Sequence, residues 1–238
     1  MNQRFREIAT EFPSESSNKL VHKFLYREIM SLDLKPGTRL NLSQLSKELE
    51  VSRTTLRDAV LTLVDENLVE KTHDNKFIVN ELKTKEVANL YASRRIIECG
   101  AAEILCETIT EEGIKVLSSI LDQMEQAVKT SDFSLFSKLD LAFHKNIVLQ
   151  CNNEFLISMY QLIADYIQRY MNYTSFIDYP RDRTPFSPVI VRQHRLILHS
   201  LKQGIPANVT YLIRKHFSDA EKLILNPDYR LTFTKTKK

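Results

Sequence analysis

The chain has 238 residues, 43% of them hydrophobic and 26% charged, with 33 Lys/Arg against 30 Asp/Glu for a formal net charge of +3. One or two globular domains are expected at this length, and four glycines with seven prolines exclude collagen-like and low-complexity chains. No apolar run approaches the ~18 residues of a membrane span, and "MNQRFREIATEFPSESS" lacks the apolar stretch of a signal peptide, so a cytoplasmic protein without a membrane partner is expected.

Cys99, Cys106 and Cys151 are odd in number and form no C-x-x-C pair, which argues against a structural disulfide. Residues 1–80 carry 12 Lys/Arg against 12 Asp/Glu. Net charge therefore gives no case for nucleic acid, and any such case must rest on where the charges lie.

Taken in chain order, the first helical pattern is "NKLVHKFLYREIMS", from about Asn18 to Ser31. "LKPGTRL" breaks it with a Pro-Gly turn. A short helix "LSQLSKEL" follows, then the connector "EVS" and a second helix "RTTLRDAVLTLVDEN". Ser52 is placed to cap that helix. Leu56, Ala59, Val60, Leu63 and Val64 form its inward face, leaving Arg53, Thr54 and Arg57 on the opposite face at the N-terminal end. "LVEKTHDNKFIVN" reads as two short β runs around a turn, with His73 and Lys76 at the tip. Helix, short helix, turn, helix, hairpin is the order of a winged helix-turn-helix. A recognition helix inserts its N-terminal end into the major groove, where Arg holds guanine bidentately and Thr reaches base or phosphate.

"LKPGTRL…LSKELEVSRTTLRDAVLTLVDENLVEK" resembles the N-terminal signature of the GntR family of bacterial transcription regulators, over roughly residues 18–80. The resemblance implies DNA contacts at Arg53, Thr54 and Arg57, and at His73 in the wing. Ser43-Gln44 stands where many members have an arginine, and His73-Asp74-Asn75 replaces the wing glycines.

After Leu82 the pattern becomes wholly helical. Residues 85–109, 112–130, 132–151, 154–174, 187–203 and 206–225 each show helical periodicity with no strand between them, as in an all-α bundle. "TSFIDYPRDRTPFS" is the longest irregular piece, a lid or a surface loop, and "KTKK" a frayed tail. Within "FSKLDLAFHKNIV", Phe136, Asp140, His144 and Val148 stack one turn apart, flanked by Leu139, Phe143 and Ile147. Asp140 and His144 thus lie on the buried face, where unpaired polar groups cost several kcal/mol. The oddity recurs: His194 lies within the stripe Ile190, Ile197, Leu198, Leu201, and His216 within Val209, Leu212, Ile213, Ala220, Leu223, while His199 falls off its stripe. Three imidazoles and a carboxylate suit Zn²⁺, Ni²⁺, Mn²⁺ or Fe²⁺, with Zn²⁺ or Ni²⁺ favoured, and leave room for water or an anion. A metal-free Asp–His network is the alternative.

This half resembles the FCD ligand-binding domain of the FadR-type branch of the GntR family, whose Asp-x-x-x-His, His and His pattern falls on Asp140, His144, His194 and His216. The resemblance implies that these are metal ligands and that a small carboxylate completes the coordination. "LYASRRIIECGAAEIL" is similar to the family's first domain helix, which makes Arg94 either an effector clamp or half of a helix-surface ion pair with Glu98 one turn on. The expectation is a mainly α chain: a winged helix-turn-helix with a small hairpin wing over 1–80, then an all-α effector, metal-binding and dimerisation domain over 81–238. It would act as a homodimeric repressor on a palindromic double-stranded operator, controlled by a small carboxylate. The rivals are a metal-free regulator with a different or larger effector, and a metal-dependent enzyme using the open coordination position.

Overall fold

The structure, a computed structural model, describes residues 2–176 and 186–225. It divides into two compact units, Met1–Lys83 and Thr84–Lys238.

In the first unit the elements are α1 (Gln3–Glu11), α2 (Ser17–Met30), β1 (Arg39–Leu40), α3 (Leu42–Leu49), α4 (Arg53–Asp65), β2 (Val69–Lys71) and β3 (Phe77–Val79). The three strands form one antiparallel sheet in the order β1-β3-β2, with Arg39 opposite Ile78 and Val69 opposite Val79. Gly37 makes the sharp entry into β1 at φ +79°, a backbone conformation that favours glycine. Phe24, Leu25, Ile29, Leu56, Val60, Leu63, Phe77 and Val79 form the core. The turn between α3 and α4 is braced twice. Glu50 ends α3 at φ 58° with its N–H on the Ser46 carbonyl, and the Ser46 hydroxyl donates to the Val51 carbonyl at 2.6 Å.

Two elements here escaped the sequence reading. Helix α1 precedes the first expected helix; the Asn2 side chain caps it, and Phe5 and Ile8 bury against the unit's core, Phe5 edge-on to Phe24. Its outer face is tied down by Arg4 to Glu28 and Asp33, and by Glu11 to Arg27. Strand β1 is only two residues long and exists through its pairing with β3.

The second unit consists, among the described residues, of α5 (Thr84–Thr108), α6 (Glu111–Lys129), α7 (Phe133–Gln150), α8 (Glu154–Phe176), α9 (Phe186–Gln203) and α10 (Pro206–Leu225). Each expected helix is present with bounds shifted by two residues at most. Thr110 and Asp132 cap α6 and α7 with side-chain oxygens, and the Asn153 side-chain Oδ1 accepts from the first turn of α8. Leu117, Leu121, Phe143, Ile147, Leu198, Leu201, Val209 and Ile213 make the core. Helix α5 packs on α7, α8, α9 and α10, so polar residues on its inner face meet those of its neighbours. Cys99, Cys106 and Cys151 are buried free thiols. Most of the segment read as a lid or surface loop, and the C-terminal tail, lie outside the described residues.

Candidate functional site

The Ser52 hydroxyl accepts the Thr55 N–H at 3.0 Å and fixes the first turn of α4. Because Leu56, Ala59, Val60 and Leu63 face the core, Arg53, Thr54 and Arg57 emerge together on the exposed side of that end. The Arg57 guanidinium lies 6.0 Å from the Phe77 ring centroid, so β3 backs it. The wing turn is closed by the Thr72 N–H on the Lys76 carbonyl at 2.9 Å, with Asn75 at φ 58°. His73 is exposed at its tip. Lys76 is paired with Asp74, and the hydrogen bonds from Lys76 and Thr72 bring the Asp74 carboxyl down to about 2. The exposed donors at the start of α4 are suited to base edges and phosphates; Lys76 brings its counter-ion with it.

In the bundle, four residues from three helices converge. Asp140 and His144 come from α7, His194 from α9 and His216 from α10, all buried, with one ligand atom from each lying within 4.8 Å of all the others. The three Nε2 atoms are separated by 3.2 Å (His144–His216), 3.1 Å (His144–His194) and 3.4 Å (His194–His216), and Asp140 Oδ1 is 3.5 Å from His194 Nε2. With metal–nitrogen bonds of about 2.1 Å, adjacent ligand atoms are about 3.0 Å apart in an octahedron and about 3.4 Å in a tetrahedron. The three Nε2 spacings fall in that interval, and the Asp140 oxygen lies just beyond it at 3.5 Å from His194. The Phe143 ring stacks on His194 at 4.5 Å and holds it in place.

Two neighbours decide where the imidazole protons sit. Glu98 on α5 can only accept, so His144 Nδ1–H donates to its Oε2 at 2.6 Å. Gln193 on α9 donates its amide N–H to Asp219 Oδ2 at 3.0 Å, which turns its carbonyl oxygen toward His216; His216 Nδ1–H donates to that oxygen at 2.8 Å. In neutral rings both Nε2 atoms then present lone pairs to each other across 3.2 Å. Two facing lone pairs repel unless a cation lies between them. A proton is the poorer candidate, because burial and the neighbouring His216 and His144 hold His194 well below its ordinary value, and burial with His144 does the same for His216. Burial pushes the Asp140 carboxyl up against the pull of His144 and Arg94. A divalent cation relieves both the lone-pair repulsion and the buried carboxylate, so the donor set fits a metal ion.

Arg94 proves to be neither a surface residue nor half of a surface pair. It is 2% exposed, its Nε–H donates to Glu98 Oε1 at 2.9 Å, and its guanidinium lies 4.7 Å from the Phe217 ring centroid. Burial pushes the Glu98 carboxyl up, but Arg94 and His144 outweigh it and hold it below its ordinary value. Glu98 thus links Arg94 to His144, a role the sequence did not disclose; its one signal was a carboxylate among the buried positions of α5. Gln193 carried no signal, being half-buried and polar. His199 is exposed, as its position off the stripe implied.

Comparison with known proteins adds two matches along the chain. Residues 19–79 match the profile of bacterial regulatory proteins of the gntR family, and residues 89–219 match that of the FCD domain. The HTH-type transcriptional regulator YdhC of Bacillus subtilis is 29% identical over 204 residues, spanning 84% of this chain and 87% of that protein. The HTH-type transcriptional repressor RspR of Escherichia coli is 24% identical over 212 residues, spanning 89% and 90%. Among solved structures, E. coli McbR/YncC shares the fold with a TM-score of 0.65 and 20% identity, over 88% of this chain and 97% of that one.

Proposed function

The chain belongs to the GntR family of bacterial regulatory proteins, with an FCD domain as its second half, and on that premise we propose a repressor whose operator affinity is set by a small carboxylate bound at a metal ion. That it is a DNA-binding transcription regulator, and not an enzyme, follows from the family. The finer reading has Arg53, Thr54 and Arg57 in the major groove, with His73 and Lys76 toward the phosphates of the flanking backbone. Asp140, His144, His194 and His216 hold the metal, Zn²⁺ or Ni²⁺ for a set of three imidazoles and one carboxylate. When bound, the ion supplies a Lewis-acid centre for an anionic ligand oxygen. The observation that carries this reading is the convergence of imidazole lone pairs fixed by Glu98 and Gln193.

Repression is the activity named for RspR. A homodimer on a palindromic operator is supported by helix α8, where Phe155, Met159, Leu162 and Tyr166 form an exposed apolar stripe at helical spacing, with Phe155 80% and Leu162 77% exposed. A pair of recognition helices also gives the contact area that one module lacks. As a DNA-bound regulator it would act in the cytoplasm. A coupling of about 1–3 kcal/mol between effector and operator is enough for a switch.

The test is elemental analysis of untagged protein beside His194→Ala, with operator binding measured before and after chelation. About one metal per chain, lost in the variant, is expected. Absence of metal after dialysis against Zn²⁺ and Ni²⁺ would sink the metal reading.

A further inference from the structure

Helices α5 and α8 run against each other, and two contacts show which residues face. A Cβ at Gly100 would lie 3.8 Å from Leu156, and the Tyr91 and Tyr170 rings meet edge-to-face at 5.8 Å. Between those contacts lies the Arg94–Glu98 turn on α5, and facing it from α8 is Tyr160. Tyr160 is 2% exposed and its hydroxyl has no hydrogen-bond partner among the described residues; the Arg94 Nη2, equally buried, has none among them either. Glu98, Arg94 and Asp140 are the charges that act on the Tyr160 phenol. Two buried polar side chains, each with an unmet hydrogen-bonding group among the described residues, therefore lie within electrostatic reach of each other and of the cluster member Asp140. Native interiors leave few such groups unmet, so each calls for a partner beyond the described residues, and a bound ligand supplies one to both at once.

Charge narrows what that partner is. Arg94 and Glu98 cancel. Asp140 contributes one negative charge and the three imidazoles none, since an imidazole binds a metal in its neutral form, so a divalent ion leaves this set at +1. A ligand carrying one negative charge brings it to zero, whereas a second carboxylate would leave an uncompensated buried anion.

We propose that the effector is a monocarboxylate, held by Arg94 Nη2 and Tyr160 Oη beside the metal, with Tyr160 the residue that selects it. This rests on the metal-and-carboxylate reading above and adds the charge class and the second contact. Both donors read oxygen lone pairs, and the phenol suits either the carboxylate itself or a hydroxyl on the carbon next to it.

The experiment is calorimetric titration of the full chain, loaded with Zn²⁺ at pH 7.5, with acetate, glycolate, malonate and citrate as probes. Acetate and glycolate are expected to bind at least ten-fold tighter than malonate and citrate. Tyr160→Phe is expected to weaken acetate and glycolate at least ten-fold while metal content and Tm stay unchanged. Equal or tighter binding of malonate or citrate overturns the charge match. Unchanged binding in Tyr160→Phe means that its hydroxyl holds a buried water only, and overturns the contact. Both of those results leave the metal reading standing. Loss of metal from the wild type, or full metal occupancy with no carboxylate bound, instead overturns the underlying reading and this inference with it.

Discussion

The two units treat their polar residues in opposite ways. In the first, a conventional apolar core holds α4 from behind, and Arg53, Thr54 and Arg57 stand in solvent with nothing in the fold depending on them. In the second, Arg94, Glu98, Asp140, His144, His194 and His216 occupy the interior themselves, at places a bundle would otherwise fill with apolar side chains. The surface set can change without changing the fold; the buried set cannot, because Arg94, Glu98 and His144 are joined in one chain of buried contacts and the three imidazoles converge on one point. Reading DNA needs groups free to meet bases and phosphates, whereas sensing a small molecule needs groups already desolvated and oriented.

That contrast can be broken most directly at Glu98. Glu98→Ala strands the buried Arg94 charge and frees the His144 Nδ1–H, and is expected to destabilise the protein by about 3–5 kcal/mol. Replacing the ion pair whole, as Arg94→Met with Glu98→Leu, should cost less than Glu98→Ala alone. Denaturant unfolding followed by circular dichroism measures both, and an Ala variant as stable as wild type would mean the pair is not buried as described. Arg57→Ala should weaken operator binding by about 1–3 kcal/mol in a fluorescence anisotropy titration and leave the unfolding curve in place. A destabilisation comparable to that of Glu98→Ala would erase the distinction between the units. Gln193→Leu removes the acceptor that orients His216 and should lower metal affinity about 10–100-fold, read by competition with a chelating dye. Smallest is Ser52→Ala, expected to cost about 1 kcal/mol through the lost cap of α4, with operator affinity following only as far as that helix frays.

What could be read from residues alone follows the same division. The six bundle helices were legible because each carries an apolar stripe several turns long, and the ligand set stood out because Asp140, His144, His194 and His216 interrupt those stripes. Helix α1 was not legible: nine residues with Phe5 and Ile8 as its buried positions make too short a stripe, and its stability comes from burial against the unit's core. Strand β1 is two residues whose identity as a strand lies in its partner β3. The link from Glu98 to His144 joins residues 46 apart on different helices, a relation no local pattern records. Tyr160 lies in a stretch whose sequence gives no readable code for an effector's shape; its burial opposite Arg94 comes from the packing of α8 on α5.

The amide of Asn2 is bonded to the Glu48 carbonyl at 3.0 Å, at the end of α3 and only a few residues before the start of α4. Any segment joined ahead of Asn2 therefore departs beside the turn that leads into α4, the helix proposed above to enter the groove. An affinity tag or reporter fused there would crowd approaching DNA and disturb the anchoring of α1, and a lowered operator affinity in such a fusion would describe the handle and not the protein.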